Sequence, residues 1–206
     1  MERSPDFKTP LCRVSFAGSL FTPRAQQEGA TPKYGATLIF EKSVDRSAMD
    51  NAVKNVLIAQ WGDKGLERAK AGLIKSPFLD GNGKEARNKK TGELHPGFGP
   101  DVFFLRVQSI RAPTLRYKSE HLPATEDEIY SGCYGKAVLN AFAWNNAQNG
   151  DGISFGIQFF QKIKDGDRLG GGGGVNASSW METVPDEGDA PEATRTGAGA
   201  GGLFGA

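Results

Sequence analysis

The twelve residues from Cys133 to Trp144 constrain this chain more than any other stretch, because they alternate without a break between two kinds of side chain. Successive residues of a β-strand point to opposite faces. One face reads Cys133, Gly135, Ala137, Leu139, Ala141 and Ala143. These are small and apolar, as the cramped interior of a small barrel requires. The other reads Tyr134, Lys136, Val138, Asn140, Phe142 and Trp144. Lys136 and Asn140 resist burial without partners, so this face is expected to point outward.

A second run, Ile153 to Lys164, follows a turn-rich linker over 145–152, and the two read as a long hairpin. Ile153, Phe155, Ile157, Phe159 and Ile163 are expected inward, with Ser154, Gln158, Phe160, Lys162 and Lys164 outward. In a third strand, Val102 to Ile110, Phe103, Leu105 and Val107 face inward and Phe104, Arg106 and Gln108 outward. Leu11–Phe16 and Gly35–Glu41 supply two more strands. One convincing helix has apolar residues at Met49, Ala52, Val53, Val56, Leu57 and Trp61. Ser47 and Asp50 resemble a capping box at its start, Trp61 is expected in the core, and a second short helix runs from Leu66 to Leu73. Residues 80–100 form a loop carrying the basic run Lys84-Glu85-Ala86-Arg87-Asn88-Lys89-Lys90. The fold class is mainly β: a five-stranded OB-like barrel with a helix inserted between strands two and three. A two-sheet sandwich is the runner-up.

The formal net charge of the 206 residues is only +1, but it is unevenly placed. Residues 1–170 hold 24 Lys and Arg against 19 Asp and Glu, whereas 171–206 hold Arg195 against Glu182, Asp186, Glu187, Asp189 and Glu192. A basic body, 1–170, therefore carries a flexible, acidic, Gly-rich tail, 171–206. Such asymmetry points toward a polyanion as partner of the body. No apolar run is long enough for a membrane helix and no secretory leader is visible. Cys12 and Cys133 are not in a metal or redox spacing, which places the chain in a reducing cytoplasm.

Three strands share one pattern, an aromatic residue beside Lys or Arg on the polar face. Single-stranded nucleic acid uses such a surface: unpaired bases stack on aromatic rings and cations track the phosphates. The expected DNA-binding residues are Tyr134, Lys136, Phe142, Trp144, Phe104, Arg106, Phe160 and Lys162, with Arg87, Lys89 and Lys90 of the loop. Catalytic, metal and cofactor signatures are missing from the sequence. Asp80-Gly81-Asn82-Gly83-Lys84 lacks phosphate-loop spacing, and His95 and His121 lack metal-type partners. An enzyme is not expected.

Tyr130-Ser131-Gly132-Cys133-Tyr134-Gly135-Lys136, Asn140-Ala141-Phe142-Ala143-Trp144-Asn145-Asn146, Gly152-Ile153-Ser154-Phe155-Gly156 and the run from Gln161 to Gly171 carry a family likeness. The chain resembles a family of bacteriophage single-stranded DNA-binding proteins with an OB fold, long filed as a domain of unknown function. The likeness is densest over 130–171 and looser over 9–110. It implies a non-enzymatic protein that coats single-stranded DNA in phage replication, recombination or repair. A single-strand annealing recombination protein and a phage structural or assembly protein stand as alternatives. The tail departs from the familiar single-stranded-binding pattern, since a neutral Gly/Ala stretch separates its acids from Leu203 and Phe204.

A flexible chain of about 35 residues reaches roughly 30–35 Å, so the tail acids can lie over the basic face and compete with phosphates. DNA would then free Leu203 and Phe204 for a replication or recombination partner. Truncation after Gly170 is expected to tighten single-strand binding, with a gain that shrinks as salt rises. Equal affinity of both forms at low salt leaves the competition without support.

Overall fold

The computed structural model describes residues 2–25, 27–148 and 150–170. The tail residues expected to compete or to bind a partner, Glu182, Asp186, Glu187, Asp189, Glu192, Leu203 and Phe204, lie outside the described residues. In chain order the strands are β1 (Phe7–Lys8), β2 (Cys12–Ser15), β3 (Tyr34–Glu41), β4 (Ile74–Lys75), β5 (Leu79–Asp80), β6 (Val102–Ser109), β7 (Thr114–Tyr117), β8 (Tyr134–Asn146) and β9 (Gly150–Lys164). Helices α1 (Ser47–Trp61) and α2 (Lys64–Lys70) lie between β3 and β4.

Five of these strands close a barrel. β2 pairs with β3, β3 with β6, β6 with β9, β9 with β8, and β8 with β2. Every pairing is antiparallel except that of β6 with β9, which is the seam where the sheet meets itself. This is the OB-like barrel expected from the sequence, and α1 falls between its second and third strands. Closure leaves a five-stranded sheet without an open edge along the barrel. Val14, Leu38, Phe40, Leu105, Leu139, Phe155, Ile157 and Phe160 fill the interior, and Met49, Ala52, Val56 and Leu57 of α1 join the same cluster.

The helix starts one device away from its expected cap. Asp45, not Ser47, accepts a hydrogen bond from the Ser47 backbone N–H at 2.9 Å, and that bond holds the Asp45 carboxyl below its ordinary range. Arg46 and Asp50 pair at 2.8 Å one turn apart. Gly62, at φ 61°, ends α1. Trp61 is only partly buried against the core.

β8 keeps the alternation read from the sequence over its whole length, but β9 does not. Val138 is opposite Phe159 and Leu139 is opposite Ile157, so Gln158 is an extra residue with no partner of its own. A bulge of one residue reverses which face the following side chains meet, until a second extra residue, Ile163, between the Gly135–Lys162 and Tyr134–Lys164 pairs turns Lys164 outward again. Ile153, Phe155 and Ile157 therefore point inward as expected, but beyond Gln158 the buried residues are Phe160 and Lys162, and Ile163 is 40% exposed. The outward placement of Phe160 and Lys162 is thus overturned. A Cβ on Gly135 would collide with the Phe160 ring, which packs beneath it. Phe104 is also buried, for a different reason: it does face out of the barrel, but the loop after β5 covers it together with Ile39 and Ala86.

Lys162 brings a charge into this interior. Its Nζ lies 2.7 Å from Asp165 and 5.0 Å from the centroids of both the Tyr117 and Tyr130 rings. The ammonium thus has a carboxylate and two π faces in place of water. Lys162 and then the Tyr130 hydroxyl hold the Asp165 carboxyl below its ordinary range, and burial raises the Tyr130 phenol. Replacement of Lys162 by Ala is expected to lower stability in chemical denaturation by about 1–3 kcal/mol, whereas Lys164→Ala stays within about 0.5 kcal/mol. Because the folded-state pKa of Asp165 is depressed, its contribution is present above the ordinary Asp value and fades as pH falls below about 4. An acid unfolding profile that is unchanged in Lys162→Ala would contradict this assignment.

Candidate nucleic-acid interface

The outer surface of β2, β3 and β6 is built in rows set by the ladder. Arg13 is level with Ile39 and Phe104, Ser15 with Thr37 and Arg106, and Gly35 with Gln108. The segment expected to be an irregular loop folds against the first row. Lys84–Ala86 form a 3-10 turn, and Arg87 bridges to Leu94. Asn88 N–H donates to the Glu93 carbonyl at 2.8 Å and His95 N–H to that of Ala86 at 2.9 Å. This small hairpin presents Lys89 and Lys90 to solvent. Its hold on the barrel is apolar: Leu79, Leu94, Phe98, Val102 and Leu169 pack around Ile39, Ala86 and Phe104.

Between the hairpin and the barrel lies a groove of about 340 Å³. Phe104 forms its deep end and Phe16 its rim. Ring centroids connect them in steps, Phe104 to Phe98 at 4.9 Å, Phe98 to His95 at 6.1 Å, and His95 to Phe16 at 5.3 Å. The outermost ring is anchored by inner ones, so the cost of ordering it is already met before a ligand arrives. Phe16 would point into the barrel if β2 continued, because Cys12 and Val14 do. Instead its φ of 56° turns the chain, and the side chain is left 51% exposed. A non-glycine residue with such a φ is uncommon and marks a local constraint.

Three cations border the rings. Arg106 is exposed, pairs with Glu85 at 3.2 Å and donates to the Glu85 carbonyl at 2.8 Å. Arg87 donates to the Gly92 carbonyl and to Asn82 Oδ1, each at 3.2 Å. Lys89 completes the lining. The structure therefore unites Arg87, Lys89, Arg106 and the buried Phe104 in one site, with Lys90 beside them on the exposed hairpin. Sequence reasoning missed Phe16, His95 and Phe98. The His95-Pro96-Gly97-Phe98 run, two rings in a glycine- and proline-rich basic loop, was a usable signal; the turn at Phe16 was not.

The other expected residues form a second group. Tyr134, Lys136, Phe142 and Trp144 do share the outward face of β8, and each is half-buried. Tyr134 lies between the cationic ends of Arg13 at 5.6 Å and Lys164 at 4.7 Å. Arg3 stacks over Phe142 at 5.2 Å and donates to Asn140 Oδ1 at 3.3 Å. The N-terminal segment pairs along β8, through Phe7 with Leu139 and Lys8 with Val138, so this face is partly covered. Phe160 and Lys162 belong to neither group, being interior.

Among the described residues no cluster of His, Cys, Asp and Glu could hold a metal ion, and no helix is long and apolar enough to cross a membrane. Cys12 and Cys133 are buried free thiols, and burial raises both above the ordinary thiol range.

Comparison with known proteins agrees with this architecture. A protein of Acyrthosiphon pisum secondary endosymbiont phage 1, described as putative protein p50, is 26% identical over 167 residues, covering 78% of this chain and 84% of that one. The single-stranded DNA-binding protein of bacteriophage Enc34, solved in complex with single-stranded DNA, superposes with a TM-score of 0.62 at 18% identity, over 80% of this chain and 89% of that one. The bacteriophage T7 single-stranded DNA-binding protein gp2.5 superposes with a TM-score of 0.53 at 12% identity, over 91% and 99%. At these identities the two structures speak to the fold. The family model of the Enterobacter phage Enc34 single-stranded DNA-binding protein matches residues 6–191, nearly the whole chain, and the chain belongs to that family.

Proposed function

We propose that this protein binds single-stranded DNA without strong sequence preference, along the outer face of β2, β3 and β6, and protects it during phage DNA replication. The observation that carries this reading is the groove itself, where four rings in edge-to-face and tilted contact meet three cations on the face that OB folds use for oligonucleotides. A base laid on Phe16 and His95 gains stacking, and its neighbouring phosphates reach Arg87, Lys89 and Arg106. Duplex DNA hides its π faces, so only the cations of this site would serve it. The protein acts by binding rather than by catalysis. Tyr134, Lys136 and Phe142 extend the track, the 171–206 segment regulates it and recruits partner proteins, and the same binding serves recombination and repair. The site of action is the cytoplasm of the phage's host. Titration of labelled single-stranded DNA, duplex and RNA at two salt concentrations tests the reading; equal affinity for single strand and duplex overturns it.

Phe16→Ala is expected to weaken single-strand binding by about 1–3 kcal/mol, the worth of one base stack, with no loss of fold because the ring is half exposed. Ile110, 70% exposed and outside the groove, provides the control: Ile110→Ala binds as the wild type does. Neutralising Lys89 and Lys90 together is expected to reduce the log–log salt slope by about 1.4, from roughly 0.7 per phosphate on a single strand. An unchanged slope would make the hairpin tip a solvated surface.

A further inference from the structure

A second cavity, of about 410 Å³, opens at the far end of the β8–β9 hairpin, where the last turn of α1 meets the strands. Its lining is Gln60, Trp61, Ala143, Trp144, Asn145 and Asp151. Two indoles and two carboxamides around one space of this size match the make-up of a small-ligand site, apolar walls with a few placed polar groups. The cavity is unlike a solvated cleft in one further respect. Trp144 Nε1 is buried and has no hydrogen-bond partner among the described residues. A buried donor left unpaired is costly, and a ligand acceptor that reached it would recover that cost.

The surroundings select the class of ligand. Trp144 is level with Gly152, and a Cβ there would collide with the indole, so the ring lies against bare backbone. Lys75 occupies the next position of the same row, with its Nζ 6.0 Å from the Trp144 ring. Arg68 stands 5.6 Å from the Trp61 ring. The one carboxylate present, Asp151, is already engaged by Arg68 at 2.6 Å and by the Asn145 amide at 2.7 Å. What remains is stacking surface, an unpaired donor and the exposed cation Lys75, which suits a base attached to a phosphate. The ladder also links this end to the groove. Arg106 of β6 precedes Val107, which is level with Phe155; Ser154 precedes Phe155 and is level with Phe142, two residues before Trp144. A strand leaving the groove over Arg106 thus crosses the β6–β9 seam onto the surface that leads to the cavity.

We propose that the cavity between Trp61 and Trp144 is a second nucleobase subsite, which takes one base of a strand already held in the groove and places its phosphate near Lys75. This inference rests on the single-strand reading above. Its test is the length dependence of binding by the full chain, using oligothymidylates of roughly 4 to 16 nucleotides, the span of site sizes known for OB folds. Wild-type affinity is expected to rise in a step of about 5- to 10-fold once the oligonucleotide spans both sites, beyond the smooth gain from added phosphates. Trp144→Phe, which keeps an apolar ring on Gly152 but lacks the N–H, is expected to flatten the step, as is Trp61→Phe; thermal melting confirms that each is folded. A step of undiminished height in both folded variants, or no step in the wild type, overturns the subsite. Failure of the wild type to bind any length strikes the single-strand reading itself.

Discussion

Of the two residues of β9 that have no partner in β8, Gln158 and Ile163, the first sets the geometry on which the rest of this barrel depends. The hairpin of β8 and β9 provides two of the five barrel strands, and each must turn apolar side chains inward over a strand much longer than usual. Without the bulge, β9 would present Phe159 and Ile163 to the core and leave Phe160 outside. With it, Phe160 fills the space under Gly135, and Lys162 meets Tyr117, Tyr130 and Asp165. The bulge also bends β9, whose second edge is shared by three strands, the short β4 and β7 and one end of β6. β4, β6 and β7 each pair with it in parallel at successive heights.

The barrel in turn fixes the groove. Ile39 and Phe104 point away from the core, and an exposed pair of that size on a sheet surface would be unfavourable in water. The hairpin over 87–94 covers them and is held there by Phe98, Leu94 and Leu169. Covering the row leaves the hairpin's cations beside Arg106, the exposed member of the next row, whose Ser15 and Thr37 are buried. The site is therefore a consequence of burying Ile39 and Phe104 while Arg106 stays exposed, and the aromatic steps lead from the buried Phe104 to the exposed Phe16.

What could be read from the sequence follows from the same physics. The direction of each β8 side chain was legible because its period of two runs unbroken, although Asn140, outward as expected, is buried beneath the N-terminal segment with Arg3 and Asp6 as hydrogen-bond partners. The five barrel strands and the inserted helix were legible because each carries its own apolar period. β9 was misread after Ile157 because a bulge leaves the local composition unchanged; Phe159 and Phe160 are identical side chains, and only the pairing tells which one is inside. Phe104 was assigned to the correct face, but burial by a distant loop has no local signature. Phe16 was hidden by a backbone turn that ordinary alternation does not anticipate.

Arg106 and Lys162 show why exposure decides which cations can serve a polyanion. Both have a carboxylate partner, Glu85 at 3.2 Å and Asp165 at 2.7 Å. The Arg106 pair is solvent-exposed on both sides, and such pairs are worth little. Exchanging Glu85 for a phosphate costs almost nothing, and displaced counterions drive the exchange. The Lys162 side chain is 4% exposed. Reaching a phosphate would require it to leave two aromatic faces and its carboxylate, with the interior opened behind it. Two residues that look alike in the sequence, each two positions after a phenylalanine in an alternating strand, are thus separated by one inserted residue into a groove-lining cation and a core element.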